Sequence, residues 1–167
     1  MEEVWGDKAW ERKYSALIII MSVTVVETFM NVFFKMLVES EEYIIHREWV
    51  NADINKRVCI EEKLRKWPIA VFGQCIQFDQ GAGQQFQAIK MIRNFLVHFT
   101  SKHETVGVLD GFIEGMADTT EYDALKKEDA ILAVRSTEGM IEEVLKVSGV
   151  NEVQLVGAIH YWTGKPG

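Results

Sequence analysis

The sequence predicts an all-α protein, a bundle of four to six helices. Three observations predict it. Apolar residues recur at three- and four-residue steps through the longest segments. No run alternates with period two for long enough to demand a sheet. Breakers fall between the periodic segments: Ser40-Glu41-Glu42, Pro68 and Ser148-Gly149. The 167 residues suit one domain, placed at 1–162, with a disordered tail over 163–167.

The first helix is read as running from about Asp7 to Glu39. Its centre, Ala16 to Val26, is an apolar run of 11 residues. A membrane-spanning helix needs about 20. Thr24, Glu27, Asn31 and Lys35 lie at three- and four-residue steps and form one polar seam. The expectation is therefore a buried helix and no membrane.

The stretch from Tyr43 to Asn55 is mixed and carries no clear period. Lys56 to Trp67 is a basic helix with Val58, Ile60 and Leu64 inward, and Pro68 is expected to end it. Phe72 to Gly83 reads as a loop. Gln84 to Lys102 is the clearest amphipathic helix, its core stripe formed by Phe86, Ile89, Ile92, Leu96 and Phe99. The opposite stripe is polar: Gln87, Lys90, Asn94, His98 and Ser101, with Arg93 on its flank. Thr105 to Thr120, with its glycines, reads as a loop or frayed helix. Thr120-x-x-Asp123 is a capping box opening a helix to about Val147, which Ser148-Gly149 stops. A last short helix is expected from Asn151 to about Trp162.

Composition narrows the function. Two cysteines, Cys59 and Cys75, make neither a disulfide framework nor a zinc site, and a reducing cytoplasm is the expected compartment. The acidic N-terminal segment lacks the basic start of a signal peptide. Net charge is −7, which argues against a broad nucleic-acid coat. The charge is uneven: −4 over residues 1–46, +4 over 47–102 and −7 over 103–167. The positive third is the one able to face an anion.

Most motifs carry little. Gly81-Ala82-Gly83 has two glycines of a dinucleotide fingerprint, without the third and without a preceding strand. His98 and His103 are five apart, so on a helix they diverge by about 140° and make a poor metal pair. Neither cofactor nor metal is expected.

One constellation carries chemistry. Asn94 and His98 lie one helical turn apart and share a face, and Arg93 is adjacent. A guanidinium offers a fork for phosphate, an imidazole moves protons near neutral pH, and an amide holds a phosphate or ribose oxygen. These are the parts needed to cleave RNA without metal. Lys90 and Lys102 flank them and are candidate contacts to the phosphate backbone. The bland alternative is a solvated helix face.

Arg93-Asn94, three residues, then His98 and an aromatic resembles the motif of the HEPN family (higher eukaryotes and prokaryotes nucleotide-binding). The order of an early apolar helix, Ala16 to Lys35, a basic helix ending Lys66-Trp67-Pro68, and a later motif helix is also similar, so the resemblance covers about residues 10–150. It implies an all-α fold, frequent homodimers and, in many members, a metal-independent endoribonuclease of toxin–antitoxin, phage-defence or RNA-processing systems. Other members bind without cleaving. Arg93, Asn94 and His98 match the motif residue by residue. Some toxin branches carry a Tyr two residues after the His, modified by a partner antitoxin; Thr100 stands there in this chain.

Acid and base catalysis needs two proton-transfer groups, and one chain has one motif histidine. A two-fold axis beside the motif helix would supply the second. Under this reading Glu27 and Asn31 face the motif helix and orient Arg93; the alternative is that Glu27 pairs elsewhere. The partners expected are RNA, a second copy and an antitoxin protein. The rival class is a non-catalytic module binding a nucleotide, RNA or protein.

Overall fold

The computed structural model describes residues 2–97, 107–109, 112–114 and 120–163. Among them the chain forms seven α-helices: α1 Glu2–Leu37, α2 Arg47–Asn55, α3 Ile60–Phe72, α4 Gly81–Val97, α5 Thr120–Ala124, α6 Lys127–Val147 and α7 Glu152–Thr163. A single 3-10 turn, Ile44–His46, precedes α2. Two three-residue strands, β1 Gly107–Leu109 and β2 Phe112–Glu114, pair antiparallel with Val108 opposite Ile113.

The helical class is as expected, but the count exceeds four to six for two reasons. The unreadable stretch after Tyr43 makes the 3-10 turn and α2. The segment expected as one helix from Thr120 breaks at Leu125-Lys126, giving α5 and α6. That break is built locally: the Asp129 carboxylate accepts from the Lys126 N–H (2.8 Å), and Glu11 of α1 accepts from the Lys127 N–H (3.0 Å). Both satisfy N–H groups that the first turn of a helix leaves without partners. The ribbon of β1 and β2 corrects the loop or frayed helix expected there. Phe99, His103 and the tail beyond Thr163 lie outside the described residues.

The core follows from α1. Ile19, Val23, Val26, Met30 and Phe34 repeat at three- and four-residue steps and are fully buried. This face packs against α6 and α4. α6 offers it small side chains, Ala133, Ser136 and Thr137, all buried, and these let the helix axes approach. The Thr137 hydroxyl sits 3.0 Å from the Ala133 carbonyl and 3.2 Å from the Ser22 carbonyl of α1, so its burial leaves no orphan polar atom. α1 also contains a segment, Lys8–Leu37, long and apolar enough by length and composition to cross a membrane; 39% of its most apolar window is buried in the bundle.

Pro68 does not end α3; it lies inside the helix, which runs on to Phe72. An interior proline costs about 3 kcal/mol, through the missing N–H and the clash with the preceding turn. Burial offsets it. Trp67 and Pro68 are buried, Val71 nearly so, and Phe34, Trp67 and Phe72 form an aromatic cluster with Tyr43 and Trp49. Burying a side chain as large as Trp67 contributes about 3 kcal/mol. Trp67 Nε1 donates to Asp53 Oδ2 at 3.1 Å, which joins α3 to α2. The actual stop is Gly73, at φ +68, whose N–H closes on the Ile69 carbonyl.

α4 begins at Gly81, three residues before the expected start. Gly83 explains the Gly-x-Gly sequence without a cofactor. A Cβ on Gly83 would lie 1.9 Å from the Gln77 carbonyl oxygen. The glycine is there because the preceding loop crosses the first turn of α4 at backbone contact.

Candidate functional site

Arg93 and Asn94 lie on the last described turns of α4 and are half-buried. The helix places them there because Phe86 and Ile89 are buried and Ile92 and Leu96 are partly buried against the core, which turns the polar stripe outward. Arg93 Nη1 donates to Asn94 Oδ1 at 3.1 Å. The amide thus holds the guanidinium on the helix surface. Among the described residues, no carboxylate lies within ion-pair distance of Arg93. Met91 and Phe95 of the same helix are exposed; each is two residues from Arg93, so they lie on the other side of the helix from it. His98 and Lys102 lie outside the described residues.

Lys90 is engaged. Its ammonium contacts the Glu61 carboxylate of α3, and only 18% of its side chain is exposed. The Lys90 ammonium holds the Glu61 carboxyl below the usual carboxylate range, aided by Arg65 3.4 Å away. Lys90 therefore ties α4 to α3 and has little reach left for a phosphate.

The polar seam of α1 serves another partner than Arg93. Glu27 and Asn31 face Lys63 of α3. The Lys63 Nζ donates to Asn31 Oδ1 at 2.9 Å and to Glu27 Oε1 at 3.3 Å, and it lies 5.6 Å from the centre of the Trp67 ring. Lys63 is 1% exposed. A charge so deeply placed must be paired and hydrogen-bonded. The two α1 side chains and the ring face meet that requirement, so they link α1 to α3 and do not orient Arg93.

Sequence reading missed Lys63, although a signal exists. Lys63 stands between Ile60 and Trp67 at three- and four-residue steps, the spacing of the inward face. A lysine there needs a carboxylate across the interface, and the seam of α1 supplies one.

Among the described residues, no group of three His, Cys, Asp or Glu side chains could hold a metal ion. A cleft of about 600 Å³ lies between α1 and the α5–α6 junction, lined by Lys8, Glu11, Arg12, Asp123 and Lys126. Its charges are largely spent on each other: Arg12 Nη1 is 2.5 Å from Asp123 Oδ1, and Glu11 caps α6. No family model, no curated protein and no solved structure matches this chain.

Proposed function

We propose that this chain is a HEPN-like, metal-independent endoribonuclease that acts as a cytoplasmic homodimer in a toxin, phage-defence or RNA-processing system. The observation that carries the reading is the state of Arg93. Its guanidinium is held by Asn94 and has no carboxylate within ion-pair distance among the described residues. An arginine so presented suits a phosphate, and Met91 and Phe95, exposed on another face of α4, offer apolar surface to a second copy of that helix across a two-fold axis.

In the proposed reaction, one His98 takes the proton of the ribose 2′-OH. The 2′ oxygen attacks the adjacent phosphorus in line. The bond from phosphorus to the 5′ oxygen breaks, and the second copy's His98 protonates that oxygen. Arg93 stabilises the charge that gathers on the phosphate, and Asn94 orients it. The products are a 2′,3′-cyclic phosphate and a 5′-hydroxyl. Lys102 remains a candidate backbone contact; Lys90 contributes chiefly by fixing α4 on α3. An antitoxin protein is the regulator this reading calls for.

The test is labelled RNA incubated with purified protein in excess chelator. Cleavage is expected, with a loss of at least about 100-fold in His98→Ala and in Arg93→Ala, both retaining wild-type circular dichroism. Undiminished cleavage in His98→Ala refutes the assignment. RNA retained but uncut by the wild type supports the non-catalytic module instead.

A further inference from the structure

α2 and α3 are joined by a turn over residues 56–59 and line a common groove of about 390 Å³. Trp49 and Asp53 of α2 face Arg65, Lys66, Ile69 and Ala70 of α3 across it. Ile69 and Ala70 are exposed. Trp49 is half-buried and is fixed from two sides. Its Nε1 donates to His46 Nδ1 at 3.2 Å, and its ring meets the Trp67 ring edge-on at 6.3 Å. The indole N–H is therefore spent, and the ring offers the groove apolar aromatic surface. Asp53 is engaged as well, since its Oδ2 accepts from Trp67 Nε1. Cations surround this surface. Arg65 and Lys66 pair with Glu61 and Glu62 one turn back, but these are exposed pairs within one helix, which contribute little and yield to a phosphate. Lys56 and Arg57, in the turn that joins the two helices, are exposed, and among the described residues no carboxylate lies within ion-pair distance of either.

We propose that this groove docks an unpaired nucleotide of a single strand, its base against Trp49 and its flanking phosphates on the cations of the α2–α3 turn and of α3. The charge and the shape select that occupant together. A nucleobase is flat and apolar on its faces, and each base of a strand stands between two anions. An aromatic platform beside basic side chains meets both needs, and it accepts any base, because every base has such a face. An acidic peptide would answer the cations and leave the indole and Ile69 uncovered. An apolar ligand would cover the indole and leave Lys56 and Arg57 unanswered. A duplex keeps its base faces inside the stack. The volume lies in the range of small-ligand sites, which suits one base and not a helix. Because Trp49 is already held by His46 and Trp67, stacking on it costs little ordering. The groove is also continuous with α4. Glu61, Arg65 and Ile69 follow one another at four-residue steps on α3, and Lys90 of α4 contacts Glu61, so the groove lies about 12 Å along α3 from the helix that carries Arg93.

The inference does not rest on the nuclease reading, because it needs neither Arg93 nor His98 and is read by binding alone. The experiment is fluorescence anisotropy with two labelled single strands of equal length and charge: 2′-O-methyl oligoadenylate, which has no free 2′-OH to attack, and the same backbone with abasic sites. Wild type is expected to bind the abasic strand at least about fivefold more weakly. Ala70→Leu fills the groove without adding charge, at an exposed helical position that keeps the wild-type circular dichroism. It should weaken oligoadenylate by a similar factor and leave the abasic strand unchanged. Lys56→Gln/Arg57→Gly removes the two unpaired cations; Arg57 stands at φ +54, where glycine is at ease, so the fold is kept. This variant should weaken both strands and flatten the slope of log affinity against log salt by about 1.4. Equal affinity of wild type for the two strands, or equal affinity of wild type and Ala70→Leu for oligoadenylate, overturns the proposal. So does a wild type that binds neither strand. Cleavage of natural RNA that persists in Ala70→Leu with unchanged binding overturns this groove and leaves the nuclease reading standing.

Discussion

Removing the Glu27 carboxylate should cost more than removing the Lys63 ammonium it pairs with. The reason is where each charge sits. Lys63 is 1% exposed, whereas 35% of the Glu27 side chain is exposed. In Glu27→Ala the ammonium stays in the interior with only the Asn31 oxygen at 2.9 Å and the Trp67 ring. Stranding one partner of a buried pair costs about 3–5 kcal/mol. The surviving bond to Asn31 sets the low end, about 3 kcal/mol, which lowers Tm by roughly 6–12 °C for a chain of this size. In Lys63→Met the stem still packs on Trp67 and Glu27 turns to water, so the loss is about 1 kcal/mol. The double variant Glu27→Ala/Lys63→Met contains no stranded charge and should be more stable than Glu27→Ala alone. Urea denaturation followed by circular dichroism measures all three, with the slope expected to stay constant. If Lys63→Met proves the more damaging single change, or the double variant is the least stable of the three, the account of this interface is wrong.

Gly83→Ala sets a methyl group against the Gln77 carbonyl, where the space is 1.9 Å, and should destabilise by about 3 kcal/mol in the same assay; a neutral result would mean that the loop before α4 moves freely. Pro68→Ala restores an N–H worth about 3 kcal/mol to the middle of α3 and loses ring packing worth about 2 kcal/mol. The variant should therefore gain about 1 kcal/mol, and a loss would show that the ring is indispensable to the aromatic cluster. The Glu61 carboxyl is held low by Lys90, so its contribution is present above the ordinary carboxylate range and is lost as pH falls through its folded value. The Tm difference between wild type and Lys90→Met should be visible at neutral pH, close on acidification and shrink in salt; a gap independent of pH would show that Lys90 acts through packing of its stem.

What could be read from the chain alone was the part governed by local periodicity. The long first helix, the stripe of Phe86, Ile89, Ile92 and Leu96, and the stop at Gly149 each follow from neighbours within one or two turns. Arg93 and Asn94 were legible in the same way, because a helix places residues on its faces by arithmetic. Pro68 was misread for the same reason: locally it breaks a helix, and only the burial of Trp67, Val71 and Phe72 against α1 and α2 outweighs that preference. The partners of Glu27, Asn31 and Lys90 were equally out of reach. A seam announces that a polar side chain will be buried, but the group it meets lies dozens of residues away and is chosen by how the helices cross. Tertiary packing made that choice, giving Lys63 to α1 and Glu61 to Lys90, because a buried charge is satisfied only by whatever the neighbouring helix brings within hydrogen-bond distance.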